Sequence, residues 1–299
     1  MSMNGILNVN KPAGITSFGV VARLKRLLGE KRAGHTGTLD PMATGVLPVC
    51  LGRATRIVRY LIDSNKTYLA GIRLGITTDT YDREGTVVDE KDTDAITIEQ
   101  VKAVLAFFQG AIEQIPPRYS AVKYRGKRSC DLARAGIYVE LKPRQVRIDR
   151  IELLEAHMPV IKVLIECSKG TYIRTLAHDA GRMLGCGAHL IDLTRTGCGT
   201  FRIEDALPLD DIEHIYRQGK LDTYLYPVES PLADWQMVVV NDEDEYAVRN
   251  GRPIALDIDC HFAAQYCRVY NADGVFIAVL RYKRNENVWH PERVFARDD

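Results

Sequence analysis

Apolar positions recur along this chain with two spacings. Val20, Val21, Leu24, Leu27 and Leu28 fall on one face of a 3.6-residue repeat. Thr16 ahead of them and Gly29 behind supply a cap and a stop, so a helix is expected through about Leu28. Val101, Val104, Leu105 and Phe108 repeat the pattern behind a Thr97-x-x-Gln100 capping box, with Gly110 as the stop. Residues 171–184 read as a further helix. Apolar runs at 46–51, 66–74 and 160–167 read as strands, the last being V-I-K-V-L-I-E-C. After a linker-like stretch at 226–231, strands are expected at 236–240, 267–270 and 275–282. Helices and strands interleave without regular βαβ spacing, which favours an α+β fold over a doubly wound parallel sheet.

Composition narrows the class. The chain has 299 residues, 46% hydrophobic and 26% charged, as an ordinary globular protein does. No apolar run approaches the length of a membrane span, and residues 1–11 lack the basic-then-apolar pattern of a signal peptide, so no membrane association is expected. Seven cysteines occur without C-x-x-C spacing, which suits reduced thiols in a cytoplasm. Cys186 and His189 have a ligand-like gap but no second pair, so no metal is expected.

The formal net charge of +1 is unevenly spread. Residues 1–60 carry net +7 and residues 101–150 another +7, whereas residues 61–100 carry −5 and residues 201–250 carry −8. Two basic blocks on a nearly neutral chain are the footprint a phosphate backbone calls for, although a solvated charged face has the same composition. The second block includes residues 115–144. Pro116-Pro117 open this segment, Pro143 nearly closes it, and between them Arg118, Lys123, Arg125, Lys127, Arg128, Arg134 and Lys142 interleave with Tyr119, Tyr124 and Tyr138. Cations to follow phosphates and rings to stack on bases suit an RNA surface.

Residues 31–47, K-R-A-G-H-T-G-T-L-D-P-M-A-T-G-V-L, are too glycine-rich for a helix or a plain strand. They carry a single carboxylate, Asp40, stiffened by Pro41 behind it. By spacing alone, Asp40 is either a rigidly held acid for chemistry on a bulky substrate or a turn residue bonding its own backbone.

This run resembles the signature G-H-x-G-x-L-D-P-x-A-T-G-x-L of the bacterial tRNA pseudouridine-55 synthases, the TruB family. Other motifs follow in the same order. Lys11-Pro12-Ala13-Gly14-Ile15-Thr16-Ser17 resembles the family's N-terminal K-P-x-G-x-(T/S)-S, and Lys66-Thr67-Tyr68 its K-x-Y strand. Thr78-Asp79-Thr80-Tyr81-Asp82 resembles T-D-T-x-D. Residues 168–175 resemble S-K-G-T-Y-I-R-T, and Gly185-Cys186-Gly187-Ala188-His189 with Leu193-Thr194-Arg195 resemble G-C-G-A-H and L-x-R. The resemblance implies a pseudouridine-synthase fold on a mixed, mostly antiparallel sheet over residues 1–230, with 115–144 as an RNA-binding insertion. It also implies a small β-barrel (PUA-like) domain at 231–299, where the match is loose.

It further implies isomerisation of uridine-55 in the T-loop of tRNA, in the cytoplasm, by a monomer needing no cofactor, metal, guide RNA or protein partner. Asp40 is the implied catalytic carboxylate, with Arg174 as its counter-ion and Tyr68 as a stacking face and proton carrier. His35 is implied to fill the space a flipped base leaves, while Tyr172 and Leu193 line the base pocket. Lys11 contacts phosphate or braces the loop. Three other readings compete with this one. A phosphate-binding loop would need G-x-x-x-x-G-K-(S/T), which is missing. An RNA-binding protein without catalysis would share the basic blocks but not the set Asp40, Tyr68 and Arg174. The guide-RNA-dependent branch typically has H-S-G-T-L-D-P-K-V-T-G, whereas this chain has H-T-G-T-L-D-P-M-A-T-G.

Overall fold

The computed structural model describes residues 3–258 and 265–295. Seven strands form the spine of the main sheet: β1 (Gly5–Lys11), β2 (Thr44–Leu51), β3 (Lys66–Leu74), β4 (Gly110–Gln114), β5 (Arg144–His157), β6 (Val160–Cys167) and β7 (Ala188–Cys198). Their spatial order is β1-β2-β7-β3-β6-β5-β4. All neighbours on this path are antiparallel except β2 and β7, which meet in parallel where Thr194 faces Thr44 and Arg195 faces Gly45. That one parallel contact joins two antiparallel halves, and the catalytic candidates gather beside it.

Four helices pack with these strands: α1 (Ser17–Leu28), α2 (Ile98–Phe107), α3 (Ile173–Leu184) and α4 (Leu209–Arg217). Thr16 caps α1 by accepting from Gly19 N, and Gly29 at φ 65° ends it. The capping box of Thr97 and Gln100 forms at α2 with both bonds made. Helix α3 begins two residues after residue 171, with Tyr172 in the extended capping position.

Side-chain alternation divides the core. Leu47, Val49 and Leu51 of β2 join Leu7 and Val9 of β1 under α1 and α4, while Val46, Cys50 and Ile6 point to the other face. A third cluster fills the space between β3, β6, β7, α2 and α3. Strands β1, β5 and β7 escape the apolar-run reading. Lys11 of β1 and Arg195 of β7 are at most 1% exposed, so their strands read as polar although they are central. Strand β5 alternates charged and apolar residues in a stretch open to solvent on one face.

The C-terminal unit holds a four-stranded sheet of β8 (Gln236–Val239), β9 (Tyr266–Tyr270), β10 (Phe276–Lys283) and β11 (Val288–Val294), with α5 (Asp242–Arg249) beside it. Among the described residues this sheet is open. It does not close into the barrel expected from the loose resemblance; Ile254 adds only a single bridge to Trp289. Leu232, Val279 and Phe295 pack in one cluster with Ile6, Ala54, Ile57, Leu61 and Phe201 of the main unit. Trp235, Tyr266 and Tyr60 add ring contacts at 5.0–5.5 Å.

The two units therefore share a core. Truncation after Ser230 would expose several side chains that are now fully buried, each worth about 1.5–3 kcal/mol. A fragment of residues 1–230 is expected to melt ~10 °C or more below the full chain. A melting temperature equal to that of the full chain would contradict the shared core.

Candidate active site

The glycine-rich loop is clamped from the N-terminal side. Lys11 is 0% exposed, and its ammonium donates to the carbonyls of Pro12 (2.9 Å), Ile15 (2.7 Å) and Pro41 (3.2 Å). Gly14, at φ 83°, donates its N–H to Pro41 O at 2.8 Å. The Ser17 hydroxyl accepts from Leu39 N (2.8 Å) and donates to Leu39 O (3.1 Å). The backbone on both sides of Asp40 is thus fixed by a motif about thirty residues away in sequence. Of the two roles open to Lys11, bracing is the one this geometry fits: its three protons are spent on carbonyls and none faces solvent. Burial lowers its pKa to about 8, with Asp40 opposing that shift.

Arg195 of β7 clamps the loop from the other side. Its Nε donates to Val46 O at 2.7 Å and its Nη2 to Gly37 O at 3.1 Å. The parallel contact brings β7 so close to Gly45, at φ 101°, that an added Cβ would lie 2.2 Å from Arg195 O. Only glycine fits there.

Asp40 meets Arg174 from the first turn of α3. Arg174 Nη2 donates to Asp40 Oδ1 at 3.1 Å. Its Nε stands 2.9 Å from Asp40 Oδ2, an ion pair without the alignment of a hydrogen bond. The Arg174 side chain is 5% exposed, whereas a third of Asp40's remains open to solvent. A second carboxylate completes the set, since Arg174 Nη1 donates to Asp82 Oδ2 at 3.2 Å and to Thr80 O at 3.3 Å. Nη2 also reaches Tyr119 O at 2.9 Å. Asp82 is held in turn by the Thr80 hydroxyl (2.6 Å) and Glu84 N (3.0 Å). One guanidinium therefore joins the loop, the T-D-T-Y-D turn and the root of the basic insertion.

The balance of forces on Asp40 is an upward one. Burial raises its pKa above 3.8, Arg174 pulls it down, Asp82 pushes it up, and Lys11 pulls it down again. Burial leaves the carboxylate poorly solvated while Arg174 favours its ionised form, the form that can act as a nucleophile.

Tyr68 on β3 lies opposite Arg195 in the ladder and in the same core cluster as Leu39, Met42, Ala43 and Leu193. It is 8% exposed, and burial pushes its phenol up to about 12 despite Arg195. Leu193 is 5% exposed and faces Ala70 on β3. Tyr172 caps α3 next to Arg174, its backbone N–H donating to Gln114 Oε1 at 3.0 Å. His35 ends the strand Ala33–His35 paired to β2, where burial and Arg195 lower its pKa and keep the ring neutral. It lines a cavity of about 860 Å³ with Phe18, Val21, Ala22, Lys25 and Arg26 of α1.

Asp82 and Arg195 lie within the sequence motifs, but nothing local in those motifs gives either a role. Which of two aspartates in T-D-T-Y-D meets Arg174 depends on the turn, and the strand order alone brings Arg195 to Gly37. In the insertion, Arg118, Lys123, Arg125, Lys127, Arg134 and Lys142 are exposed. Arg118 lies 4.4 Å over the Tyr138 ring and Arg125 5.5 Å over Tyr124. Among the described residues, no cluster of three or more His, Cys, Asp or Glu side chains could hold a metal ion. No helix there is long and apolar enough to cross a membrane.

Comparison with known proteins points one way. Residues 25–173 match the N-terminal domain of the TruB family pseudouridylate synthases, and residues 174–233 match the tRNA pseudouridylate synthase B C-terminal domain. A tRNA pseudouridine synthase B of Dehalococcoides mccartyi (strain ATCC BAA-2100 / JCM 16839 / KCTC 5957 / BAV1) is 48% identical over 296 residues, covering 99% of this chain and 97% of its own. The Bacillus pumilus (strain SAFR-032) protein of the same name is 40% identical over 305 residues, covering 99% of both chains. Among solved structures, a chain of a Cbf5-Nop10-Gar1 complex superposes with TM-score 0.75 at 28% identity, covering 98% of this chain and 85% of that one.

Proposed function

The chain belongs to the TruB family of pseudouridylate synthases and is an isomerase of tRNA uridine, and we propose that its target is uridine-55 of the T-loop, with Asp40 as the catalytic carboxylate. The observation that carries this reading is the Asp40–Arg174 pair, at 2.9 and 3.1 Å, on a loop clamped from two sides. The reaction breaks the N1–C1′ bond, joins C5 to C1′, releases the C5 proton and protonates N1. No electrons are exchanged and no water is consumed. It calls for an anion beside the sugar or ring and a surface that holds the base while it turns. Asp40 supplies the anion, its ionised form favoured and held in direction by Arg174. Tyr68 and Leu193 supply the stacking face and the wall, and the Tyr68 phenol enters the reaction protonated.

The target base is stacked inside the folded T-loop and must be extruded, at a cost of a few kcal/mol. His35, neutral and at the edge of the cavity beside α1, would occupy the vacated space. The exposed cations of the insertion and Lys25, Arg26 and Lys31 near His35 would follow the backbone of the T-arm. The sequence signature and the basic insertion favour action without guide RNA or protein partner, and we infer a monomer in the cytoplasm.

A T-arm stem-loop tritiated at C5 of uridine-55 tests the assignment, because the isomerisation releases that tritium to water. Release from uridine-55, and none when the label is on a neighbouring uridine, is expected; release from another position would refute it. Affinity should also fall steeply with salt, by roughly 0.7–0.9 log unit per log unit of salt for each phosphate neutralised. With six exposed cations on the insertion, an overall slope of at least about 3 is expected; a flat response would place the basic surface elsewhere. The raised pKa of Asp40 adds a pH signature. Only the ionised form is competent, so the single-turnover rate should fall as pH drops through that pKa, with a midpoint above the ordinary carboxylate value of about 3.9. A rate unchanged down to about pH 4 would contradict it.

A further inference from the structure

Tyr81 has φ 64°, in the left-handed region where a bulky aromatic side chain is an outlier and strain marks a constraint worth explaining. Its neighbours supply one. The residue before it offers Thr80 O to Arg174 Nη1 at 3.3 Å, and the residue after it offers Asp82 Oδ2 to the same nitrogen at 3.2 Å. Its ring lies on His178 with centroids 3.8 Å apart and planes 14° from parallel. His178 follows Arg174 by four residues on α3, so the two side chains sit one above the other on the same helix face. The ring stack and the Arg174–Asp82 pair are therefore two rungs between the same turn and the same helix.

We propose that the Tyr81–His178 stack is a positioning device for the Arg174–Asp40 pair. It holds the turn of residues 78–82 against α3 in its left-handed form, so that Thr80 O and Asp82 Oδ2 meet Arg174 while the rest of the guanidinium faces Asp40. Tyr81 N donates to Thr78 O at 3.2 Å and Tyr81 O accepts from Leu190 N at 3.0 Å, which ties the turn to β7 as well. The turn has no slack, since a Cβ on Gly85 would lie 2.3 Å from Thr80 Oγ1. Burial keeps both rings uncharged at neutral pH, lowering the His178 pKa and raising that of Tyr81. Both rings act through Arg174. Arg118 and Tyr138 of the insertion lie near enough to act electrostatically on the Tyr81 phenol.

This inference rests on Asp40 being the catalytic carboxylate, and its test keeps the two separable. Single-turnover rate, tRNA Kd and melting temperature are measured for Tyr81→Gly, His178→Ala, the double variant and Tyr81→Phe, with the unaltered protein and Asp40→Asn alongside. Glycine accepts the left-handed backbone without strain, which offsets the stability lost with the stack, so Tyr81→Gly should melt within about 5 °C of the unaltered protein. Its rate should nevertheless fall roughly ten- to a hundredfold, as a small misplacement of a reacting group does, with Kd within about threefold. His178→Ala should show a similar loss from the helix side, the double variant should be no slower than the slower single, and Tyr81→Phe should restore the rate lost in Tyr81→Gly. A wild-type rate in Tyr81→Gly, a loss confined to Kd, multiplying losses in the double variant, or no rescue by phenylalanine would each overturn the proposal. If the unaltered protein makes no pseudouridine, or Asp40→Asn does, the functional reading fails instead.

Discussion

Asp40→Asn is expected to lower the single-turnover rate of pseudouridine formation by at least about a thousandfold, while tRNA Kd changes by less than about threefold. The two expectations have separate physical grounds. Asparagine keeps the shape and the acceptor oxygen that Arg174 Nη2 uses at 3.1 Å, but it has neither the charge nor the nucleophilicity of a carboxylate. The loop does not depend on that charge for its form. Lys11, Gly14 and Ser17 hold the backbone of Leu39 and Pro41, and Arg195 holds Gly37. Arg174 is not abandoned either, because Asp82, at 6% side-chain exposure, still compensates its charge. The variant should therefore fold and bind RNA while failing at the chemistry. A residual rate within tenfold of the unaltered protein would remove Asp40 from the catalytic role.

Arg174→Met should fail more broadly. Methionine fills a similar volume and offers no donor, so Asp40, Asp82, Thr80 O and Tyr119 O all lose their partner at once. Two carboxylates would then share a desolvated site without a cation between them. Removing one member of a buried pair costs about 3–5 kcal/mol, chiefly because a charge is left uncompensated. A drop of ~10 °C in melting temperature is expected, together with loss of detectable turnover. The pKa of Asp40 should rise further once its largest opposing influence is gone. Any residual activity should accordingly appear only at higher pH. A variant with unchanged melting temperature and a modest effect on rate would show that the guanidinium is peripheral.

The contrast between these variants reflects what local chemistry encodes. Helices α1 and α2 were legible because Thr16, Gly29, Thr97 and Gln100 are signals acting within a few residues of their targets. Strand β7 was hidden because a central strand that buries Arg195 and His189 does not read as apolar. The partner of Lys11 could not be read at all. Its ammonium ends on carbonyls of Pro12, Ile15 and Pro41, and nothing in an isolated lysine tells a carbonyl cage from a phosphate. Asp40 and Arg174 were matched through a resemblance, but Asp82 went unassigned, since T-D-T-Y-D offers two aspartates and the left-handed turn at Tyr81 decides between them. The C-terminal barrel was implied by a loose resemblance, and the described residues show an open sheet sharing a core with the main unit.

The most direct test is to incubate the purified protein, and Asp40→Asn in parallel, with an unmodified tRNA transcript, adding no metal, nucleotide or other macromolecule, and to map pseudouridine along the whole transcript. Pseudouridine at position 55 alone with the unaltered protein, and none with Asp40→Asn, is the predicted result. Modification at another position, or at position 55 by the variant, would contradict it.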